Sequence, residues 1–405
     1  MSAQPFFDNV AALAVARTLG PITDPDPMML HGESDIVRSL PERDLRSNPV
    51  SPRDGPETPC LSVCIPTHDG RAEHLRSAID SVLSQVGDDL ADGRVQVCVS
   101  DNASRDRTAE IMEIYRRRLG ANRLVYHRNE RNLGFTENML RVVAAATGSY
   151  CWLLGSDDTL EPGSIADVLA LLEADPALTG ITTSHVVYDV RSPEQVSAVT
   201  RPILPPAGQE LYVTPEETFS RLGLLFDFLS TQIVHRERWL AAVKSIGSGG
   251  IEAGLVFPLI PIMVEMVRRA PRWRFYPKEA VRHRVGTSNL DPPKGSEFDR
   301  YQTMLMGDRA RVWAQLFGRR SELYRILMNQ AFVIQANPYG LAHYKLQPGH
   351  TTAGDLRLLV AMTRWFWFLP QFWIRSLPVL LVPHALIPAL GAVARRFGRE
   401  RRASR

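Results

Sequence analysis

From position 61 onward the chain alternates two patterns, and that alternation limits what it can fold into. Short apolar runs bounded by turn residues occupy 61–66, 95–100, 124–128 and 150–154, the pattern of strands buried on both faces. Between them apolar residues recur at helical spacing: Leu75, Ile79, Val82, Leu83 and Val86, then Ile111, Ile114 and Tyr115, then Phe135, Met139, Val142, Val143 and Ala146. Strands joined by helices of this length lie parallel, because each crossover returns the chain to the same sheet edge. The expected fold class is therefore α/β, a doubly wound, mostly parallel sheet with helices on both faces. Runs at 181–188, 229–234 and 272–276 predict further strands, and 254–269 a helix despite Pro258 and Pro261. The Gly247-Ser-Gly-Gly stretch reads as a loop, since it lacks the strand and spacing of a dinucleotide fingerprint. After about residue 291 the strand patterns stop and 297–335 reads as helices, so a helical C-terminal extension follows the sheet.

The expected organisation is an extension over 1–58, a sheet domain over 59–290, a helical segment over 291–364 and an apolar, arginine-ended tail over 365–405. The first 58 residues are rich in Pro, Asp, Ser and Arg and offer one short amphipathic helix, 6–19. The formal net charge of +3 is too small to argue for nucleic acid, and none is expected as a partner. Cys64, Cys98 and Cys151 sit in the apolar runs, and with Cys60 they show no zinc or redox spacing. Buried thiols in a reducing compartment are the simplest reading. No basic flank precedes an apolar core and cleavage site, so the expected location is the cytoplasm.

In an open parallel sheet, ligands bind at the carboxyl ends of the strands. The first run is followed by Pro66-Thr67-His68-Asp69-Gly70-Arg71, the second by Asp101-Asn102-Ala103-Ser104, the third by Arg131-Asn132-Leu133-Gly134, and the fourth by Gly155-Ser156-Asp157-Asp158. Polar groups thus gather on one edge, as a binding site requires. A magnesium-type cation takes one or two carboxylates plus phosphate oxygens, and a departing diphosphate needs charge compensation. Neighbouring residues of an extended chain point to opposite faces, so one aspartate can serve a metal while the other faces a nucleoside. Ser-Asp-Asp also suits a cap on the helix beginning near Pro162, and Asp101-Asn102 suits a turn or helix cap.

These residues carry a family resemblance. The run Leu61-Ser-Val-Cys-Ile-Pro-Thr-His-Asp with Leu75-Arg-Ser-Ala-Ile-Asp-Ser-Val-Leu-Ser-Gln resembles the opening of the family 2 glycosyltransferases. Val99-Ser-Asp-Asn-Ala-Ser-Arg-Asp-Arg-Thr, Asn132-Leu-Gly-Phe-Thr-Glu-Asn and Ala146-Thr-Gly-Ser-Tyr-Cys-Trp-Leu-Leu-Gly-Ser-Asp-Asp resemble their next motifs, in order and at the right spacing. The Trp-Leu-Leu-Gly form resembles the abequosyltransferase branch of O-antigen assembly. The resemblance implies a GT-A fold and inverting sugar transfer from a nucleoside-diphosphate sugar to a glycan or polyprenyl-linked acceptor, in cell-surface polysaccharide assembly. It implies a divalent cation, Mg or Mn, held by Asp158 and Asp157. Asp101 would read the nucleobase, Thr67 and Asp69 would line the nucleoside pocket, and Arg131 would lie near the diphosphate, with Pro66, Asn102 and Asn132 completing the donor site and Asp157 also serving the ribose. Two departures stand out: Gly155 replaces the first acidic residue of the usual Asp-x-Asp-Asp string, and His68-Asp69 stands where Tyr-Asn is frequent, with Gly70 inserted.

Inverting transfer needs a carboxylate to take the acceptor proton. The family places it in the acceptor half, where Glu252 is the first candidate and Asp227 the second. A nucleotide-sugar-binding partner without turnover is one alternative; a sugar-phosphate nucleotidyltransferase is another, though its glycine-rich basic signature is absent near the N-terminus. The tail clusters Trp365, Phe366, Trp367, Phe368, Phe372 and Trp373, then runs nearly uncharged to Ala394 through Pro378, Pro383 and Pro388. That composition predicts an in-plane anchor on the inner face of the cytoplasmic membrane, with the arginines beyond it suited to anionic lipid.

Overall fold

The computed structural model describes residues 59–383 and 386, apart from 89, 92, 122, 190–195, 199–207, 253–256, 286–295, 336–337 and 346–351. The helix expected over 6–19 and the arginine-rich end lie outside these residues. Two compact units emerge, one within 22–289 and one within 290–405.

The first unit begins with β1 (Leu61–Thr67), α1 (Ala72–Val86), β2 (Val95–Asp101), α2 (Thr108–Leu119), β3 (Leu124–Arg128), α3 (Gly134–Ala145) and β4 (Tyr150–Leu153). Both β1 and β2 are buried along their whole length, which is why they read as continuous rather than alternating apolar runs. Helix α1 covers them with Leu75, Ile79, Val82 and Leu83. Helix α2 inserts Ile111, Met112 and Tyr115, while Ile114, expected on the inner face, points to solvent at 59% exposure. Met112, three residues before Tyr115, takes the inward position instead.

The second half runs through β5 (Thr159–Leu160), α4 (Ser164–Ala174), β6 (Gly180–Asp189), β7 (Val196–Ala198), β8 (Leu211–Tyr212), α5 (Pro215–Leu222), β9 (Gln232–His235), α6 (Arg236–Glu252), α7 (Leu259–Arg269) and β10 (Trp273–Val285). The sheet order is β3-β2-β1-β4-β9-β6-β10-β5, with β7 on β6 and β8 on β10. Strands β3, β2, β1 and β4 are mutually parallel, as expected. Beyond β4 the sheet is mixed: β9 runs antiparallel to β4 and β6, β10 parallel to β6, and β5 antiparallel to β10. The chain leaves β1 toward β2 on one side and returns to β4 on the other, a switch point that opens a crevice at the carboxyl ends.

Several expected boundaries shift. The run at 229–234 splits into a 3-10 turn, Leu229–Thr231, and β9. The strand expected at 272–276 continues to Val285. The helix expected from 254 begins at Leu259, because Pro258 sits at its N-cap and Pro261 in its first turn, where a missing N–H costs nothing. Gly247-Ser-Gly-Gly is not a free loop but lies within α6, broken at Gly247 (φ 62°). A left-handed backbone there requires glycine.

The second unit contains α8 (Ser296–Phe317), α9 (Glu322–Gln335), α10 (Pro338–Lys345), α11 (Thr352–Phe366), a π-helical turn (Phe372–Ser376) and α12 (Leu377–Leu381). Phe366 of α11 meets Phe332 of α9 edge-to-face, with ring centroids 5.5 Å apart. Lys345 is fully buried. Its Nζ pairs with Asp355 at 3.1 Å and donates to the carbonyls of Leu380 (3.0 Å) and Val382 (2.6 Å). These carbonyls end α12, where a cation is stabilising.

Gly180, at the start of β6, lies so close to Trp273 that an added Cβ would sit 2.5 Å from the indole and 2.8 Å from the Ile233 carbonyl. Gly180→Ala should therefore destabilise the protein by about 1–3 kcal/mol, read as a lower denaturant midpoint at unchanged m-value. An unchanged midpoint would show that Trp273 can move aside freely.

Candidate active site

The register of the parallel strands brings Thr67, Asp101 and Arg128 into line at the carboxyl edge. Asp101 is completely buried. Its Oδ1 accepts from the Ser104 N–H (2.9 Å), and its Oδ2 accepts from the Tyr126 hydroxyl (2.8 Å) and faces Arg128 Nε at 3.5 Å. Burial, with the adjacent carboxylate, pushes the Tyr126 phenol up, so Tyr126 remains a donor. The turn closes because Ala103 adopts φ 60°. Asn102 holds the third loop: its Oδ1 accepts from the Leu133 N–H (2.8 Å) and its Nδ2 donates to Asn132 Oδ1 (2.6 Å). Asn129 and Asn138 extend this network to the Thr67 carbonyl. Among these groups the Thr67 and Ser104 hydroxyl oxygens and Asn129 Oδ1 are buried without a partner among the described residues, polar atoms open to a ligand.

Asp69 ties the first loop to the second, its Oδ1 accepting from the Arg105 (3.0 Å) and Asp106 (3.1 Å) N–H groups. Asp106 returns the contact by accepting from the Gly70 N–H (2.8 Å), so the inserted Gly70, at φ 80°, belongs to a braced turn. Pro66 is buried in β1, while Arg131 and Asn132 lie exposed on the loop before α3.

The two aspartates after β4 behave differently. Neither caps α4, which begins after Gly163 with no side-chain cap. Asp157 Oδ2 pairs with Arg71 Nη1 at 2.8 Å. Asp158 is 1% exposed. Its Oδ1 accepts from His283 Nδ1 (2.9 Å) and the Arg284 N–H (3.0 Å), and its Oδ2 accepts from the Ser230 hydroxyl. Burial alone would raise its pKa, but His283, Ser230 and the Arg284 N–H hold it below the usual aspartate range. Ser230 also accepts from the Gly155 N–H at 2.9 Å. A Cβ on Gly155 would come within 3.2 Å of Asp157 Oδ1, Asp158 Oδ2 and Ser230 Oγ, so glycine leaves the room these groups occupy.

This geometry bears on a divalent cation. Asp158 has both oxygens committed to protein donors, whereas Asp157 Oδ1 has no partner among the described residues. No cluster of three or more His, Cys, Asp or Glu suited to a metal occurs among the described residues. The site fits a cation held by Asp157 with phosphate oxygens completing its shell, the arrangement magnesium-type ions accept.

Of the two candidate bases, Asp227 ends a half-buried 3-10 turn three positions before Ser230. Glu252 is the last residue of α6, and its side chain lies outside the described residues. Sequence reasoning gave no role to Arg71, Ser230, His283 or Arg284. Arg71 was visible beside Gly70; His283 and Arg284 reach Asp158 through the β5–β10 pairing, and Ser230 through the turn before β9, which pairs with β4.

Beneath Asp158, His185 and His283 both pack against Phe228, with ring centroids 4.6 and 4.8 Å from it. Burial pushes His185 down to about 3, and its Nε2 has no partner among the described residues. A histidine kept neutral by folding binds its proton first in the unfolded chain. It therefore favours folding above its ordinary value near 6.5, and this contribution is lost as pH falls from there toward about 3. Unfolding free energy should decline below pH ~6.5 with a slope of up to about 1.4 kcal/mol per pH unit from this group. His185→Gln should flatten that slope, with His235, pushed down to about 4, accounting for part of the remainder. Identical slopes in the two proteins would show that His185 protonates without cost.

Residues 62–236 match the model for glycosyl transferase family 2. The chain is thus similar to that family over these residues, and the strand-end site lies within and just beyond them. It is 33% identical over 217 residues to the abequosyltransferase RfbV of Salmonella typhimurium, covering 51% of this chain and 60% of that protein. It is 34% identical over 121 residues to a PGL/p-HBAD biosynthesis glycosyltransferase of Mycobacterium bovis, covering 29% of this chain and 44% of the relative. The matches therefore span less than two thirds of either relative. Among solved structures, S. aureus TarS 1-349 aligns with a TM-score of 0.48 at 16% identity, over 77% of this chain and 81% of that one.

Proposed function

We propose that this protein transfers a sugar, with inversion, from a nucleoside-diphosphate sugar to a glycan or lipid-linked acceptor in cell-surface polysaccharide assembly. The observation that supports this most is the convergence of Thr67, Asp101 and Asp157 at one sheet edge inside the stretch similar to glycosyl transferase family 2. Asp101 and the unpartnered Thr67 and Ser104 hydroxyls offer a buried polar wall for a nucleoside. Asp157 would hold a divalent cation, Mg or Mn, which neutralises charge on a departing diphosphate. Asp158 keeps the Asp157 turn in place through Ser230, His283 and Arg284. Glu252, or failing it Asp227, would accept the acceptor proton.

The test is a panel of nucleoside-diphosphate sugars with a polyprenyl-linked or oligosaccharide acceptor, scored by acceptor-dependent nucleoside diphosphate release. One donor should turn over, and Mn or Mg should stimulate it. Asp101→Ala should raise KM at least tenfold with little change in kcat, because Asp101 shapes the nucleoside wall through the Ser104 N–H and the Tyr126 hydroxyl, and that wall serves ground and transition states alike. Glu252→Gln should abolish transfer and spare donor affinity; normal transfer would pass the role to Asp227. A wild-type protein that binds a donor but never releases nucleoside diphosphate would be a binding partner without turnover.

The membrane reading narrows to one face. No helix among the described residues is long and apolar enough to cross a membrane. Phe366, Phe372 and Leu380 are buried in the helical unit, whereas Trp367, Trp373, Ile374 and Leu381 are exposed, Ile374 at 75%. Outward apolar residues beside the exposed Arg375 suit the surface of an anionic leaflet on the cytoplasmic side. Ile374→Asp with Leu381→Asp should lower binding to phosphatidylglycerol vesicles at least tenfold while leaving the thermal midpoint unchanged. Equal vesicle binding would remove this face from the interaction.

A further inference from the structure

Asp157 is surrounded by cationic groups. Arg71, 5% exposed, uses one of its five N–H donors on Asp157, and the rest have no partner among the described residues. Arg284 donates from Nε to the Asp157 carbonyl at 3.1 Å, and its terminal nitrogens also lack partners there. His74, in the first turn of α1, has a buried Nδ1 without a partner among the described residues. Burial, then Arg284 and then Arg71 push its pKa down against the opposing pull of Asp157, so both guanidinium groups lie close to it. Arg71 itself stands at the N-terminus of α1, the positive end of a 15-residue helix. The Asp157 carboxylate thus faces Arg71 at a helix N-terminus while Arg284 bonds the Asp157 carbonyl, so two guanidinium groups with further donors converge beside it, a donor set suited to an anion larger than a carboxylate.

Resting on the donor reading above, we propose that Arg71 and Arg284 form the diphosphate subsite, and that Asp157 is an internal counter-ion the diphosphate displaces. In the free protein the Asp157 carboxylate occupies Arg71. When a diphosphate takes over Arg71, Asp157 is released to a divalent cation. Diphosphate and cation then bind with positive coupling, because each removes the partner that holds the other's site closed. Bidentate arginine–phosphate geometry favours the exchange, since the fork meets a phosphate through paired N–H donors.

The exchange predicts substitutions of opposite sign. The probes are inorganic pyrophosphate in EDTA, and Mn²⁺ alone, each followed by calorimetry on the full chain. Asp157→Asn should strengthen EDTA-resistant pyrophosphate binding about tenfold and abolish enhancement by Mn²⁺. Arg71→Met should weaken pyrophosphate binding about tenfold yet strengthen binding of Mn²⁺ alone; Arg71→Lys should recover part of the pyrophosphate affinity. Arg284→Gln should weaken pyrophosphate binding without strengthening Mn²⁺ binding, which also covers the case of an Arg71 variant that fails to fold. Pyrophosphate affinity weakened or unchanged in a folded Asp157→Asn protein overturns the counter-ion role. Competition identifies the source of the diphosphate: displacement by nucleoside diphosphates supports the donor subsite, and displacement only by farnesyl diphosphate overturns it. Acceptor-dependent sugar transfer with no pyrophosphate binding in EDTA would leave the transferase reading standing and sink the subsite; pyrophosphate binding with the expected signs but no transfer from any donor would do the reverse.

Discussion

The buried carboxylate of Asp158 joins the two halves of the sheet. It follows the last parallel strand, yet its partners are Ser230, on the turn before β9, and His283 and Arg284, on β10. An ionised group this deeply buried persists only when its acceptor positions are filled, and here two side-chain donors and one backbone donor fill them. Together with the direct contacts of Arg71 and Arg284 to Asp157, these donors fix the turn that carries both aspartates. Gly155 fits the same logic, because a side chain there would crowd both carboxylates and Ser230. Where the usual string has its first acid, glycine thus leaves room for the two carboxylates and Ser230.

The parallel half was legible because its strands are buried on both faces and its helices show a regular stripe. Where that stripe was ambiguous, as at Ile114, one register of a short helix was confused with its neighbour, and packing against β2 and β3 decided. The mixed half was harder. Strands β5, β7 and β8 are two or three residues long, too short for any periodicity to register. The Gly247 stretch was misread because a left-handed break inside a helix has the same composition as a loop.

For the site, local patterning pointed to the polar strand ends, but not to which aspartate keeps a free oxygen. Adjacent residues in an extended chain point to opposite faces, so one of Asp157 and Asp158 had to turn inward. The choice depends on Ser230, His283 and Arg284, which lie about 70 to 130 positions downstream and reach Asp158 through β-pairing. Such long-range partners leave no signature near the motif. In the helical unit, the aromatic cluster read as one apolar tail divides into an inner set, Phe366 and Phe372, and an outer set, Trp367 and Trp373. Composition alone assigned them a common environment.

Hydrogen exchange measured with and without the nucleoside diphosphate of the preferred donor tests the central claim most directly, since the claim is that the ends of β1, β2 and β4 form the donor site. Protection concentrated at 67–72, 101–105 and 155–158, with Arg284 in the same footprint, is the expected result. Protection confined to other segments, or none at saturating nucleotide, would contradict it.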